Sequence, residues 1–451
     1  MSFNYIQMLG LQQYERYLPS AFDESMSVVE KLNKIIEAMN DVIERANDLT
    51  DYVTASVEDI TTRFENLTKL FEELKKWVES EGLADSVEIV LDKWFENGKL
   101  ADIINQQVFD QKVSSLDGEI MEIGKFDFNG FNYTSIESGQ YTSDRSKELL
   151  EYARDEVQMD SIAIVATWFM STPTSNSISR NATKTIPDSD VRQAIRDAKA
   201  KGYIVMLKPH VDVLDNSFRG AIAPTDREAW FASYKAFISN YALIAKEEGV
   251  DLLCIGTELK SSTKASYADY WNDIITSIKQ LYTGKLTYAS VAMNSDDYEE
   301  YFTVPFWGQL DYVGLDVYFK LVSPTISNPS EYDIASAWAF NREERDLLQK
   351  LVDFQASINQ PIIFTEIGCT MRKGSSTDPS NYNISPQVDL EEQARFVKAM
   401  YMVWGSQTTW MKGFFWWRLA FNNQDDFTFE NRPSATMFSK YIIHTKGGVN
   451  Q

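Results

Sequence analysis

The feature that most constrains the fold is an alternation of two hydrophobic periods after about residue 125. Short runs rich in β-branched and aromatic residues alternate with stretches that have the apolar spacing of an amphipathic helix, such as 144–157, 188–201 and 230–248. Strands that alternate with helices form parallel sheets, and eight such units match the (β/α)8 TIM barrel. The runs are almost solidly apolar, as expected of parallel strands that are covered on both faces. The eight predicted strands are 126–133, 161–169, 203–209, 251–258, 285–292, 310–318, 361–366 and 411–418.

A second pattern precedes the predicted barrel. Residues 25–80 contain neither Gly nor Pro, and apolar residues recur there at alternating steps of three and four from Leu32 to Trp77. This heptad spacing predicts an N-terminal α-helical coiled-coil region. Many e positions, such as Ile36 and Phe64, are also apolar. The stripe is therefore wider than a two-stranded coil needs and favours a trimer or a helix bundle, with a helical hairpin packed on its own domain as the alternative.

Two phrases in this region carry a resemblance. They are L-Q-Q-Y-E-R-Y-L-P-S-A-F-D-E-S at 11–25 and G-K-L-A-D-I-I-N-Q-Q-V-F-D at 98–110, and they resemble the N-terminal parts of tail-fibre and appendage proteins of tailed bacteriophages. The resemblance implies that residues 1–120 form a helical oligomerisation and tail-attachment region, whose partners are copies of this chain and other phage tail proteins. Residues 121–451 then form the barrel domain.

The charge balance limits the partners that we expect. Asp and Glu outnumber Lys and Arg by 66 to 43, and the net charge of −23 repels nucleic acid and anionic membrane surfaces. The first ten residues lack the basic and apolar regions of a signal peptide, and no apolar run of about 18 residues occurs. We therefore expect synthesis in the cytoplasm, no export by a signal peptide and no membrane insertion.

The sequence indicates neither a metal nor a nucleotide cofactor. It contains 2 His and 2 Cys, without a C-x-x-C pair or an H-E-x-x-H motif, and it lacks G-x-G-x-x-G and G-x-x-x-x-G-K-[ST]. Cys254 and Cys369 belong to predicted strands three apart in the barrel, which argues against a disulfide. Both are predicted to be free thiols.

Two glutamates stand at the ends of predicted strands. Glu258 ends the fourth strand and Glu366 ends the seventh, each after a nearly apolar run. A buried carboxylate is costly unless it is paired or has a chemical role, and TIM-barrel enzymes place their catalytic residues at these strand ends. Two carboxyl groups that face one cleft are the groups that glycoside hydrolysis requires. The alternative for each glutamate is a salt-bridged or solvated acid at the barrel rim.

The strand period of two predicts what lies beneath each acid. If Glu258 points into the barrel mouth, Leu252, Cys254 and Gly256 also face inward. If Glu366 does so, the same rule turns Ile362 and Phe364 inward.

Several motifs together identify a family resemblance. They are L-K-P-H-V-D-V at 207–213, C-I-G-T-E-L at 254–259, G-L-D-V-Y at 314–318, F-T-E-I-G at 364–368 and F-F-W-W at 414–417. Residues 126–440 resemble the glycoside hydrolase superfamily of (β/α)8 barrels, and within it the family that contains bacterial endo-β-1,4-mannanases. The resemblance implies that Glu258 is the acid/base and Glu366 the nucleophile. Thr257 stands where most of the superfamily has Asn, which leaves open how the sugar 2-hydroxyl is held.

Further residues are predicted to bind substrate. Tyr318 resembles the tyrosine that donates a hydrogen bond to the nucleophile, while capping of the core is the alternative. Aromatic rings complement the apolar face of a sugar. Neighbouring residues of a strand face opposite ways, so only one of Trp416 and Trp417 can line the mouth unless the strand has ended. The predicted substrate-binding residues are Trp168, His210, Asp212, Asn294, Tyr318, Trp416 and Trp417, with Asn132 as a further candidate.

These observations favour one function over two others. The leading hypothesis is a virion component, a phage tail appendage that oligomerises through its N-terminal helices. Its barrel binds and hydrolyses a host cell-surface polysaccharide with retention of configuration. One alternative is a tail fibre that binds glycan without cutting it, and another is a cytoplasmic β-mannanase-like glycosidase.

Overall fold

A computed structural model of the chain describes residues 125–293, 299–343 and 345–445. Contacts within the chain divide it into two units, Met1–Met121 and Glu122–Gln451. The predicted coiled coil and its oligomerisation lie outside the described residues.

The second unit is built on eight parallel strands that form a closed barrel. The strands pair in chain order, and the first also pairs with the last, so that Phe128 lies opposite Gly413. Each predicted strand is present, and the predicted TIM barrel is confirmed. The strands are β1 Phe128–Thr134, β2 Ser161–Met170, β3 Ile204–Val213, β4 Leu252–Thr257, β5 Lys285–Ala292, β6 Tyr312–Val317, β7 Ile362–Ile367 and β8 Met411–Ala420.

Helices cover the outside of this barrel. Several begin at an acidic residue whose carboxylate accepts a hydrogen bond from a backbone N–H of the first turn, as Asp226 does from Ala229 and Asp389 from Glu392. Between β5 and β6 the described residues form only two short 3₁₀ turns, Glu300–Phe302 and Trp307–Gln309. The helices are α1 Asp144–Glu151, α2 Asp188–Ala200, α3 Arg227–Glu247, α4 Ala268–Leu281, α5 Glu331–Ser336, α6 Leu347–Ile358, α7 Leu390–Trp404 and α8 Pro433–Thr445.

The barrel interior changes from apolar to polar along its axis. One inner cluster is formed by Phe128, Ala163, Met206, Leu252, Cys254, Ala289, Ile363 and Phe415. Leu252 and Cys254 therefore face inward as predicted. The prediction for Gly256 was wrong, because the pairing of β4 shifts after Cys254 and a Cβ on Gly256 would point at Tyr234 of α3. Met206 of β3 and Ile363 of β7 belong to this cluster. The next inward positions, two residues further along these strands, are Lys208 and Thr365, and both are fully buried. Polar chemistry is thus concentrated toward the carboxyl ends of the strands.

Both cysteines are buried and free, as predicted. Among the described residues, no helix is long and apolar enough to span a membrane. The same part of the chain contains no cluster of His, Cys, Asp and Glu side chains suited to hold a metal ion.

Candidate active site

A cavity of about 540 Å³ opens at the carboxyl ends of the strands. Glu258 and Glu366 both line it, so the two acids that the sequence singled out converge on one space. This is the arrangement that glycoside hydrolysis requires. The other lining residues are Phe218, Arg219, Met293, Tyr318, Lys320, Glu343, Ser380, Tyr382, Trp417 and Phe427.

Glu366 is held by two hydrogen-bond donors. The Lys208 ammonium nitrogen lies 2.6 Å from Oε1, and the Tyr318 hydroxyl donates to Oε2 at 3.0 Å. Both donors stabilise the ionised carboxylate, because charge-assisted hydrogen bonds are stronger than neutral ones. The carboxylate is only 5% exposed, so its orientation is fixed by these two contacts.

A bulge in β7 turns Glu366 toward the cavity. Leu315 and Asp316 of β6 are adjacent, but their partners on β7 are Phe364 and Glu366, which leaves Thr365 as an extra residue. A bulge interrupts the alternation of side chains along a strand. Ile363 therefore packs in the inner cluster, while Phe364 packs outside the barrel against Trp404. The prediction that Ile362 and Phe364 face inward was wrong for this reason.

Asp316 completes a buried charge cluster beneath Glu366. The Lys208 ammonium lies 3.1 Å from Asp316 Oδ1, and the Thr365 hydroxyl donates to the same oxygen at 2.7 Å. Burial and the nearby Glu366 raise the pKa of Asp316 to about 7, although Lys208 opposes the shift. Burial alone would lower the pKa of Lys208, but Asp316 and Glu366 raise it. Lys208 is therefore a permanent cation shared by two acids.

Glu258 has different surroundings. It follows the end of β4 with a φ of 54°, an uncommon conformation for a residue with a side chain. Its Oε2 accepts a hydrogen bond from Arg219 at 3.3 Å, and Arg219 is in turn bound by Asp212 at 2.7 Å. Burial, reinforced by Asp316 and Glu366, raises the pKa of Glu258 well above its usual value despite the Arg219 cation.

The two acids are therefore chemically unequal. One is seated between an ammonium group and a hydroxyl that stabilise its charge. The other is largely buried, and this burial raises its pKa and so favours its protonated form. A cleft that holds one ionised and one protonated carboxyl can combine attack on a carbon with proton donation to a leaving oxygen.

His210 and Trp417 meet at the mouth of the barrel. Their rings are parallel within 7°, with centroids 6.3 Å apart. Burial, with Arg219 and Lys208 nearby, lowers the pKa of His210 well below its usual value, so the ring is neutral. Its Nε2 has no hydrogen-bond partner in the described structure. His210 is not among the described residues that line the cavity, so it supports the Trp417 ring from behind instead of facing a ligand.

Two predicted sugar platforms lie outside the cavity. Trp168 faces α3, where its ring packs against Phe237 and Tyr241 at centroid distances of 5.4 and 6.3 Å. Trp416 is fully buried between β8 and the helices, with its ring 4.9 Å from that of Phe438. Both predictions were wrong, because an almost solidly apolar strand does not reveal which of its faces points inward. Trp417 has the inward orientation.

The remaining predicted binding residues do not all face the cavity. Tyr318 lines the cavity and contacts Glu366. Asp212 accepts two hydrogen bonds from Arg219 and is not among the described residues that line the cavity, so it positions Arg219 instead of facing the ligand. Asn132 donates to the backbone oxygens of Thr365 and Phe415, which makes it a structural residue of the barrel. Asn294 lies outside the described residues.

The charged residues that surround the two acids, Lys208, Asp316 and Arg219, were missed from the sequence, as were the lining residues Phe218 and Tyr382. Lys208 and Asp316 interrupt apolar strands in the same way as Glu366 does, and that signal could have revealed them. Arg219 comes from the connection after β3, where a single arginine in a loop carries no such signal.

Comparison with known proteins gives a consistent result for the barrel. Residues 130–444 match the family model of Glycoside Hydrolase Family 113. A solved structure of a GH113 β-1,4-mannanase superposes with a TM-score of 0.60 at 21% identity, covering 70% of this chain and 99% of that one. The GH113 β-mannanase AaManA from Alicyclobacillus acidocaldarius gives a TM-score of 0.60 at 22% identity, with coverage of 71% and 99%. At these identities the likeness shows a shared fold.

Other relatives match a shorter segment. The pre-neck appendage protein of Bacillus phage B103 is 38% identical over 102 residues, and that of Bacillus phage phi29 is 37% identical over 102 residues. The matched segment spans 23% of this chain and 10% of either relative.

Proposed function

This chain belongs to Glycoside Hydrolase Family 113, and from that premise we propose that its barrel hydrolyses a polysaccharide with retention of configuration, with Glu366 as nucleophile and Glu258 as acid/base. The observation that carries this proposal is the unequal environment of two acids in one cavity. Glu366 is stabilised as an anion by Lys208 and Tyr318. Burial raises the pKa of Glu258, which keeps its proton available.

The proposed reaction has two steps. A carboxylate oxygen of Glu366 attacks the anomeric carbon, the bond from that carbon to the glycosidic oxygen breaks, and Glu258 gives its proton to the leaving oxygen. In the second step Glu258, now ionised, takes a proton from water as that water attacks the anomeric carbon. The ester bond to Glu366 breaks as the bond to water forms, and the sugar is released with its original configuration.

We propose a host cell-surface polysaccharide as the substrate and a phage virion as the location. The appendage proteins of Bacillus phages that match part of this chain support the location. The β-1,4-mannanases that share the barrel fold make β-1,4-mannan the first polymer to test. The net charge of −23 favours a polymer that is neutral or cationic.

A substrate panel tests the activity. The full chain is incubated with β-1,4-mannan and with purified Bacillus wall polysaccharide, and new reducing ends are measured. We expect release from at least one polymer by the wild type and by Glu137→Ala, an exposed acid outside the cavity. Glu366→Ala should lose activity by several orders of magnitude. Binding of a polymer without any release would instead favour a non-catalytic glycan-binding role.

The roles of the two acids can be separated with sodium azide and an aryl glycoside of the cleaved sugar, whose leaving group departs without a proton. In Glu258→Ala, azide can occupy the space of the missing side chain and attack the glycosyl-enzyme, which should restore turnover and give a glycosyl azide of retained configuration. In Glu366→Ala, azide should attack from the opposite face and give the inverted product. The configuration of the azide product is read by NMR, and the reverse pattern would exchange the two assignments.

A further inference from the structure

Two exposed aromatic side chains line the cavity from different loops. Phe218 follows β3 and is 40% exposed, while Tyr382 follows β7 and is 50% exposed. Large exposed rings in a carbohydrate cleft present an apolar face to the apolar face of a sugar. Their positions relative to the two acids show which part of a polymer each would meet.

Phe218 lies on the Glu258 side. It directly precedes Arg219, which donates to Glu258 at 3.3 Å. Its ring folds over Gly220, where an added Cβ would lie 2.3 Å from the ring, so a side chain at this position would displace the ring. The Ser261 hydroxyl, from the loop after β4, donates to the Gly220 oxygen at 2.7 Å. The loop that carries Phe218 is therefore fixed to the loop that follows Glu258.

Tyr382 lies on the Glu366 side. Its ring packs edge-on against Phe427 with centroids 5.1 Å apart, and Phe427 packs against Tyr318 at 6.3 Å. The Tyr318 hydroxyl donates to Glu366 at 3.0 Å. A continuous line of contacts thus connects Tyr382 to the proposed nucleophile.

In a retaining glycosidase the nucleophile bonds to the sugar that keeps the anomeric carbon, and the acid protonates the oxygen of the leaving sugar. We propose that Phe218 is the platform for the leaving, reducing-end part of the polymer, and that Tyr382 is the platform for the non-reducing-end part. The cavity then binds sugars on both sides of the cleaved bond through rings from two different loops. This inference rests on the proposed hydrolytic function.

The test measures which of two acceptors takes the sugar from the glycosyl-enzyme, the intermediate in which the sugar is bonded to Glu366. On each polymer of the panel that the wild type cleaves, short oligosaccharides of that polymer and methanol are added together as competing acceptors. In either transfer the acceptor hydroxyl attacks the anomeric carbon, Glu258 takes the hydroxyl proton and the bond to Glu366 breaks. The ratio of oligosaccharide product to methyl glycoside is measured by mass spectrometry. Only the oligosaccharide needs a platform on the leaving-group side.

The two platforms predict different results. Phe218→Ala should lower both kcat/KM on the polymer and the transfer ratio by about tenfold. Tyr382→Ala should lower kcat/KM by about tenfold and leave the ratio unchanged, because its sugar is already bound when the acceptor arrives. Phe302→Ala is the matched control, since that ring is 49% exposed and does not line the cavity.

Two results would overturn the inference. They are an unchanged ratio in Phe218→Ala or no transfer to oligosaccharide by the wild type. If the wild type cleaves neither polymer, the hydrolytic proposal itself fails and this inference fails with it. Cleavage by the wild type with an unchanged ratio in Phe218→Ala removes the platform and leaves the hydrolytic proposal standing.

Discussion

At the scale of single residues, the site shows how one side-chain type takes two roles. Glu258 and Glu366 line the same cavity and differ only in what contacts them. Glu366 has an ammonium and a hydroxyl donor, whereas the pKa of Glu258 is raised chiefly by burial. The contacts of each carboxyl group, and not the residue type, decide which one carries the proton.

Lys208 has the largest predicted effect on stability among these residues. Its ammonium is fully buried and contacts the carboxyl groups of both Asp316 and Glu366. Lys208→Met would leave two buried carboxyl groups without their cation, which costs about 3–5 kcal/mol of unfolding free energy. Urea unfolding followed by circular dichroism measures the change.

The control for this substitution is Lys235→Met. The Lys235 ammonium also lies near a carboxylate, Asp273, but the two side chains are 36% and 64% exposed. Exposed ion pairs contribute at most about 1 kcal/mol. Equal losses in the two variants would show that Lys208 is not the cation on which the buried cluster depends.

At the scale of the strand, the sequence predicts where strands lie far better than which face points inward. Runs of β-branched and aromatic residues located all eight strands. The sequence does not show which side chains of a strand point inward, because residues on both faces of a buried parallel strand are apolar. That is why Trp168 was assigned to the mouth although it packs on α3. The bulge at Thr365 has no sequence signal of its own and shifted the assignment on β7.

The residues of the candidate site also differ in whether the sequence reveals them. Glu258 and Glu366 could be found because a polar residue at the end of an apolar run is conspicuous, and Tyr318 was found from the family resemblance. All three line the cavity. Arg219 could not, because only the fold brings its loop beside β4. The local sequence thus predicts residues on strands, while contacts between loops need the tertiary structure.

β8 offers a direct test of this alternation. Trp416→Ala should destabilise the barrel by about 3–5 kcal/mol, because the indole is fully buried among aromatic rings. The folded fraction should keep its turnover. Trp417→Ala should lower kcat/KM by about tenfold with a smaller loss of stability, since this ring lines the cavity. Unfolding curves and turnover per folded molecule would separate the two effects, and the opposite pattern would reverse the orientation of β8.

At the scale of the whole molecule, we propose that the chain works as two parts, with residues 1–120 for oligomerisation and attachment and residues 121–451 for hydrolysis. The barrel has no need of the first part to complete its sheet, because β1 pairs with β8 and leaves no strand edge open. The family match likewise begins at residue 130. Several barrels on one oligomer would bind a polymer surface more tightly than one barrel alone.

Removal of residues 1–121 tests this division of labour. The fragment 122–451 should fold, because the barrel closes on itself, and its kcat/KM on short soluble oligosaccharides should stay within about twofold of the full chain. Light scattering should find an oligomer, expected to be a trimer, for the full chain and a monomer for the fragment. Binding to insoluble wall polysaccharide, measured with Glu366→Gln in both forms to prevent cleavage, should weaken by about a hundredfold in the fragment, because its barrels can no longer engage one surface together. A monomeric full chain, or equal binding by the two forms, would show that the N-terminal region does not multiply the contacts of the barrel.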